Sequence, residues 1–342
     1  MTSPACSSEP HALRDRPPSG NTSPPVSSAF LWPAIARFVE AEHRFGLRAT
    51  ESGPPAAWIY EFVRFGVKQA WACLFGALML GLIIATRLWY PHDAIVARYD
   101  ALVIGALAIQ AAMIGFKLET LDEVKVIFIF HLAGTVMELF KTSVGSWIYP
   151  EHNLLRIAGV PLYSGFMYAA IGSYLARAWR LFDFRFANHP RLWSIFALSG
   201  AIYVNFFSHH YLPDIRLLLL LVTAVLFGRT AVLYRVWRTY RQMPLLLGFV
   251  LVAFFIWIAE NIGTGMGAWI YPAQAHQWSM VPLAKLEAWL MLMIVSYSLT
   301  ALINRPSAVV PLNQKGDRRA FLNFLDGAGD EPPDEGDRIV TR

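Results

Sequence analysis

The sequence predicts an all-α integral membrane protein of about eight transmembrane helices, arranged as a parallel repeat of four plus four. Three observations predict it. Apolar segments long enough to cross a bilayer recur along the chain, charge is scarce between them, and one thirteen-residue pattern occurs twice. Of 342 residues, 56% are hydrophobic, 14% aromatic and only 15% charged, with a mean hydropathy of +0.41. Soluble domains carry about a quarter charged residues, and disorder of the whole chain needs the opposite balance. Cys6 and Cys73 are the only cysteines, which argues against a disulfide framework or a Cys-rich metal site. The net charge of +5 is spread between apolar runs rather than pooled, so nucleic acid is not an expected partner.

In chain order, the first 28 residues hold six Pro and seven Ser without an apolar run and read as disordered. They lack the basic start and apolar core of a secretory signal. From 29 to 55, Phe30, Leu31, Ile35, Phe38, Val39 and Phe45 recur at near-helical spacing among charges. This predicts an amphipathic helix, lying on the membrane surface or packed on the membrane domain. The membrane domain is expected over 56–303. Eight segments there can cross about 30 Å of hydrocarbon: Val67–Trp89, Tyr99–Leu118, Glu123–Thr142, Ile157–Trp179, Arg191–Ser208, Ile215–Val236, Pro244–Gly263 and Val281–Ile303. The tail, 304–342, mixes seven acidic and six basic residues with Pro and Gly and reads as solvated.

Arg and Lys set the expected orientation. With the N-terminus inside, the inner connections collect Arg64, Lys68, Lys117, Lys125, Arg177, Arg180, Arg185, Arg235, Arg238 and Arg241. The outer ones keep mainly Arg87, Arg98, Lys141, Arg156, Arg216 and Lys285. The expectation is a bacterial inner-membrane protein with both termini cytoplasmic.

ELFKTSVGSWIYP (138–150) and ENIGTGMGAWIYP (260–272) align without a gap at an offset of 122, with seven of thirteen positions identical. Adding that offset to the starts of segments one to four gives 189, 221, 245 and 279, against 191, 215, 244 and 281 for segments five to eight. The repeat halves are thus about 67–180 and 191–303. An even number of helices makes the repeat parallel, with functional groups expected at the interface between halves. Trp147, Tyr149, Trp269 and Tyr271 suit an interfacial anchor, but an anchor does not demand the glutamates Glu138 and Glu260 nine residues before each Trp.

An ionisable side chain at the bilayer centre costs about 2.5–3.5 kcal/mol on insertion scales and so needs a partner or a purpose. His131, Thr135 and Glu138 are four and seven residues apart, on one helix face. Glu138 lies about 22 Å into its crossing, Glu260 is at the equivalent depth, and Lys285 and Glu287 stand near the outer end of the last segment. Asn205, His209, His210, Asp214 and Arg216 follow on the same side. Glu138, Glu260, His131, Glu287 and Lys285 are the candidate catalytic residues, and Trp147, Tyr149, Trp269, Tyr271, Thr135, Asn205, His209 and His210 the candidate lining or interfacial ones. Structural alternatives stand beside each: the glutamates pair with Lys141, Lys285 or backbone donors, His131 is a bonded core residue, and His209 and His210 are solvated or capping. Adjacent histidines do not share a helix face, and no HExxH-type spacing occurs, so no metal is expected. Phosphate-loop, dinucleotide and GxSxG motifs are also absent from the sequence, and no cofactor is implied.

The strings FHLAGTVMELFKTSVGSWIYPE (130–151), GVPLYSGFMYAAIGSY (159–174) and NFFSHH (205–210) resemble the bacterial integral-membrane family known as domain of unknown function 817. The resemblance covers about 57–303. It implies a multi-pass membrane protein and no particular activity. A more distant pattern is similar to the membrane carotenoid hydratases and heterodimer-type lycopene cyclases: Glu138, Gly145, Trp147, Tyr149, Val160-Pro161, and again Glu260, Gly267, Trp269, Tyr271, Val281-Pro282. That likeness implies acid–base chemistry on long isoprenoids. The paired carboxylates that the cyclases carry shortly after Pro are not reproduced, since Glu287 comes only five residues after Pro282.

Three function classes follow. The leading expectation is a membrane-embedded hydratase or isomerase acting on an isoprenoid or other apolar lipid. Glu138 or Glu260 would be the general acid, because burial favours a neutral carboxyl. His131 would be relay or base, and Trp147 and Trp269 would face a carbocation. The alternatives are a proton-coupled transporter using the same glutamates, and a structural membrane partner.

Overall fold

The computed structural model describes residues 33–91 and 93–309. The expected disordered segment 1–28, the first residues of the interfacial segment (29–32) and the tail from 310 onward lie outside them. Helix α1 (Pro33–Glu51), where the interfacial helix is expected, belongs to one compact unit, and the chain from Trp58 to Val309 belongs to another.

In the larger unit the eight apolar segments correspond to α2 (Pro54–Ala72) with α3 (Leu74–Trp89), α4 (Arg98–Gly115), α5 (Leu121–Ser143), α6 (Tyr163–Phe182), α7 (Leu192–Ser208), α8 (Arg216–Phe227), α9 (Leu245–Gly265) and α10 (Lys285–Ile303). Their starts are set locally where the sequence allows. Thr120 accepts from the Glu123 N–H while Glu123 accepts from the Thr120 N–H, a reciprocal cap that opens α5. At its far end α6 stops on Asp183 in the left-handed region, which Asp tolerates better than most residues.

The chain is mostly helical, but four expectations change. The first expected span is two helices, α2 and α3, meeting at 64° across Cys73. The fourth opens not as helix but as a short hairpin, β1 (Arg156–Ile157) and β2 (Val160–Pro161), before α6 begins at Tyr163. The sixth stops at Phe227, and the rest of that apolar run is strand β4 (Ala231–Arg235). β4 forms a hairpin with β5 (Tyr240–Pro244). It also pairs antiparallel with β3 (Arg185–Ala187), which pairs parallel with β6 (Ser307–Val309), in the order β5-β4-β3-β6. A short apolar run does not by itself distinguish strand from helix, so the fold is helical with two small sheets rather than all-α. The larger sheet closes the end of the bundle where α6 finishes and α9 begins.

Among the described residues, α4, α9 and α10 are long and apolar enough to cross a membrane, and the bent pair α2–α3 makes a fourth candidate. Apolar side chains also stand exposed along the helices, among them Ile104, Leu107, Phe128, Leu132, Val225 and Phe255, as suits contact with lipid rather than water.

The fourth change concerns charge at the sheet end, where the sequence places it at the rim. Arg177 and Glu119 instead form an ion pair of 2.7 Å with both side chains fully buried. Ser173 donates to Glu119, and Arg177 also donates to the Trp71 carbonyl, which ties the bend between α2 and α3 to α6. Removing one partner of such a pair costs about 3–5 kcal/mol, whereas an apolar pair of similar volume is near neutral. Arg177→Met is therefore expected to lower the unfolding midpoint strongly in a detergent titration, and the double substitution Glu119→Leu with Arg177→Met to recover most of it.

Candidate functional site

The site is built at the opposite end, where α5 and α9 finish. Each helix ends on the same three backbone bonds: Val144 N–H to Phe140, Gly145 to Thr142 and Ser146 to Lys141, matched by Met266 to Ile262, Gly267 to Thr264 and Ala268 to Gly263. Gly145 (φ 72°) and Gly267 (φ 66°) take the left-handed conformation that such terminations require. The chain then turns back over the helix end. Ile148 and Ile270 exchange two backbone hydrogen bonds, both 3.0 Å, so the two Trp-Ile-Tyr-Pro loops lie against each other. Arg98 and Tyr99 donate to the Gly267 carbonyl and Tyr163 to that of Ala268, holding the second loop in place.

This return path brings aromatic donors onto the glutamates. Glu138, 2% exposed, accepts Trp147 Nε1 (2.7 Å) and Tyr149 Oη (2.6 Å) on Oε2, and Tyr168 Oη (2.8 Å) on Oε1. Glu260 accepts the Tyr271 hydroxyl on Oε1 and Trp289 Nε1 (2.7 Å) on Oε2. Burial, then the adjacent carboxylates, push the Tyr149 and Tyr271 hydroxyls well above the usual tyrosine range, so both stay protonated. Among the described residues no cation forms an ion pair with either glutamate, and the pairing with Lys141 or Lys285 weighed from the sequence does not occur. Lys285 instead lies over the Tyr271 ring at 4.5 Å.

Both glutamates line one apolar cavity of about 760 Å³, together with Trp147, Trp269, Tyr271 and Lys285. Its remaining walls come from α2, α3, α5, α6, α7, α9 and α10, and its rim includes the exposed Phe62, Leu251 and Phe255. A second cavity of about 420 Å³ adjoins it, and Met137, Trp147, Phe206, Lys285, Ala288 and Leu292 are walls of both. The smaller cavity holds Lys141, Arg216, His209 and His210.

The other candidates fall elsewhere. His131, Thr135 and Glu138 do share a face, turned to α6. The His131 ring packs on Phe166 at 4.7 Å and, with Thr135, fills the space over Gly165, so neither lines the glutamate cavity. Glu287 is exposed and lines neither cavity. Tyr149 reaches Glu138 without lining the larger cavity. Asn205 donates to Asp214 and accepts from the Ile215 N–H, fixing the loop that carries His209 and His210. No group of three or more His, Cys, Asp or Glu suited to a metal occurs among the described residues. Sequence reasoning does not single out Tyr168 and Trp289, which reach the glutamates from the following helices. The signal for Tyr168 lies at Gly134, where a Cβ would fall 2.5 Å from the Tyr168 ring.

The sequence profile of a family described as "Protein of unknown function (DUF817)" matches residues 61–297. The chain belongs to this family. A DUF817-region relative, "Uncharacterized protein YoaT" of Bacillus subtilis (strain 168), is 44% identical over 259 residues, covering 76% of this chain and 97% of its own length. No solved structure matches the chain. The glutamates, their aromatic donors and both cavities of this DUF817 chain lie within or beside the matched residues.

Two outcomes test this geometry. Gly134→Ala would push Tyr168 away from Glu138 or part α5 from α6, an overpacking cost of about 1–3 kcal/mol, read as a lower melting temperature of the purified protein. Burial, then the charges of Lys141 and His209, hold His210 below the usual histidine value. A base so held binds fewer protons folded than unfolded, so stability rises with pH through the interval just below about 6.5. The melting temperature is expected to fall between about pH 7 and pH 5.5, less steeply in His210→Gln.

Proposed function

We propose that this protein is a membrane-embedded acid–base enzyme of hydratase or isomerase type, acting on an isoprenoid or other apolar lipid in the Glu138/Glu260 cavity. The observation that carries the reading is that two carboxyls without ion-pair partners share one apolar cavity. An unpaired carboxylate in an apolar medium is so costly that such a group takes up a proton instead. In its neutral form Glu138 can turn its O–H toward Tyr168, whose hydroxyl both donates and accepts. From that state one carboxyl protonates an alkene carbon, forming a C–H bond and a carbocation that faces aromatic rings such as Trp147 and Trp269. A carboxylate then takes a proton, either from an adjacent carbon, which shifts the double bond, or from water as its oxygen adds. Each route returns the proton balance to its start. His131 and Glu287 have no part in this scheme.

The architecture behind it is eight membrane crossings in duplicated halves, both termini cytoplasmic, in a bacterial inner membrane. Support comes from helix pairs whose starts differ by 124 and 122 residues, α5 and α6 beginning at 121 and 163 and α9 and α10 at 245 and 285. Support comes also from matching helix ends and the reciprocal Ile148–Ile270 contact. The cavity would then sit between the halves, as parallel repeats favour. A proton-coupled transporter is the second reading, favoured by the 64° break at Cys73, a residue lining the same cavity.

The test is the mass profile of extractable lipids in a deletion strain complemented with wild type, with Glu138→Gln or with Glu260→Gln. A species differing by one water, or an isomer, that accumulates unless the wild type is present supports the enzyme. An unchanged profile at equal expression removes it, and ligand-dependent proton uptake into proteoliposomes would then establish the transporter.

A further inference from the structure

The smaller cavity carries charge that the proposed chemistry does not use. Lys141 is only 4% exposed, yet its Nζ meets no carboxylate at ion-pair distance among the described residues. It lies 3.0 Å from His210 Nε2, 3.5 Å from His209 Nε2 and 4.0 Å from the centre of the Phe206 ring. Lys285, on the wall shared by both cavities, lies over the Tyr271 ring and has no carboxylate at ion-pair distance among the described residues, Glu260 acting on it only from beyond that distance. Arg216 completes the cationic set and is held by Asp214 at 3.0 Å. With Glu260 neutral, as the acid–base reading has it, three cations against one carboxylate leave two positive charges around one pocket. Buried ammonium groups left without a counter-charge are costly, and a bound anion relieves that cost at both lysines together. A phosphate monoester, with about −1.5 to −2 charge and three acceptor oxygens, matches the excess where a single carboxylate does not. Its surroundings also fix what is attached to it, because the pocket adjoins the long apolar cavity through Met137, Trp147 and Leu292.

We infer that the two cavities form one amphiphile site: Lys141, Lys285 and Arg216 hold the phosphate of a long-chain monophosphate ester, and its hydrocarbon chain lies past Glu138 and Glu260. The assignment rests on the acid–base reading for a neutral Glu260 and for what happens to the chain, and binding tests it independently. The order of groups matters chemically. Lys285 stands between head and chain, so a phosphate seated there fixes which carbons of the chain reach the carboxyls, as an anchor remote from the reacting bond does.

The full-length protein in nanodiscs is titrated with farnesyl monophosphate, farnesol, palmitate and inorganic phosphate, following tryptophan fluorescence and melting temperature. Farnesyl monophosphate is expected to bind at least about tenfold tighter than farnesol. Lys141→Met should remove that preference while leaving farnesol binding unchanged, and Lys285→Met should remove it whatever its effect on farnesol binding. Arg216→Gln, nearer the surface, supplies the same comparison should a buried-lysine variant fail to fold, and Lys141→Arg should restore part of the preference. Equal binding of the phosphate and the alcohol overturns the inference. So does palmitate binding as tightly as the monophosphate, or inorganic phosphate competing at the same concentration as the lipid, which would mark a free-anion pocket. Tight monophosphate binding with an unchanged lipid profile in Glu138→Gln would sustain the headgroup site and remove the acid–base reading. A changed profile without phosphate preference would do the reverse.

Discussion

Everything at the functional end of this protein depends on keeping two carboxyls in an apolar wall without counter-ions. A buried carboxyl can be tolerated if its oxygens are supplied with donors, and here most donors come from the glutamate's own helix end. The spacing does this: seven residues after each Glu a glycine reverses the chain, and eleven residues after it a tyrosine hydroxyl arrives at the carboxyl. The carboxyl and its donors therefore form as one local unit, and α6 and α10 complete it with Tyr168 and Trp289. Because the two loops also bond to each other through Ile148 and Ile270, neither carboxyl can be repositioned without the other feeling it.

The two environments are alike in plan and unlike in detail. Glu138 takes two tyrosine hydroxyls and one indole; Glu260 takes one of each and has Lys285 across the Tyr271 ring. Tyr168 and Tyr271 each lie within electrostatic reach of both carboxyls. The shared Glu-to-Tyr pattern of the two segments accounts for the likeness, and the second helix of each pair for the difference. The Tyr168 donor is thirty residues from Glu138, while Trp289 is twenty-nine from Glu260. One residue on a helix is a rotation of about 100°, so the second carboxyl is approached from another side. Unlike surroundings for two acids in one cavity are what a division between proton donor and proton acceptor needs.

How much of this is legible in the sequence follows from the range of each interaction. Most of the helices, the family and the Glu-to-Tyr spacing are local patterns, and they read directly. The sheet does not, because the run from Ile215 to Val236 is mostly apolar on both sides of Gly228-Arg229-Thr230, and only pairing with β3 and β5 makes its end a strand. The Arg177–Glu119 pair is invisible because its partners are fifty-eight residues apart and each looks like an ordinary rim charge. His131 shows the opposite failure. Helical spacing correctly puts it on the face of Glu138, but a face nearly two turns long meets different neighbours at its two ends. At one end Gly165 and Phe166 enclose the histidine, and at the other Tyr168 and the cavity receive the glutamate.

The same argument explains why Lys141 matters more than its position suggests. Near a helix end, a lysine ordinarily extends its ammonium to the membrane surface. Here the return loop and the segment carrying His209 and His210 close over it, so the charge stays inside. The loop that supplies donors to Glu138 thus also traps a cation one turn away, on the far side of Trp147, whose indole forms a wall of both cavities. One structural element therefore builds an acid in an apolar chamber and a positive charge in the next. A ligand that satisfies both must be charged at one end and apolar along the rest, and it passes the wall that Trp147 shares with Met137, Phe206, Lys285, Ala288 and Leu292.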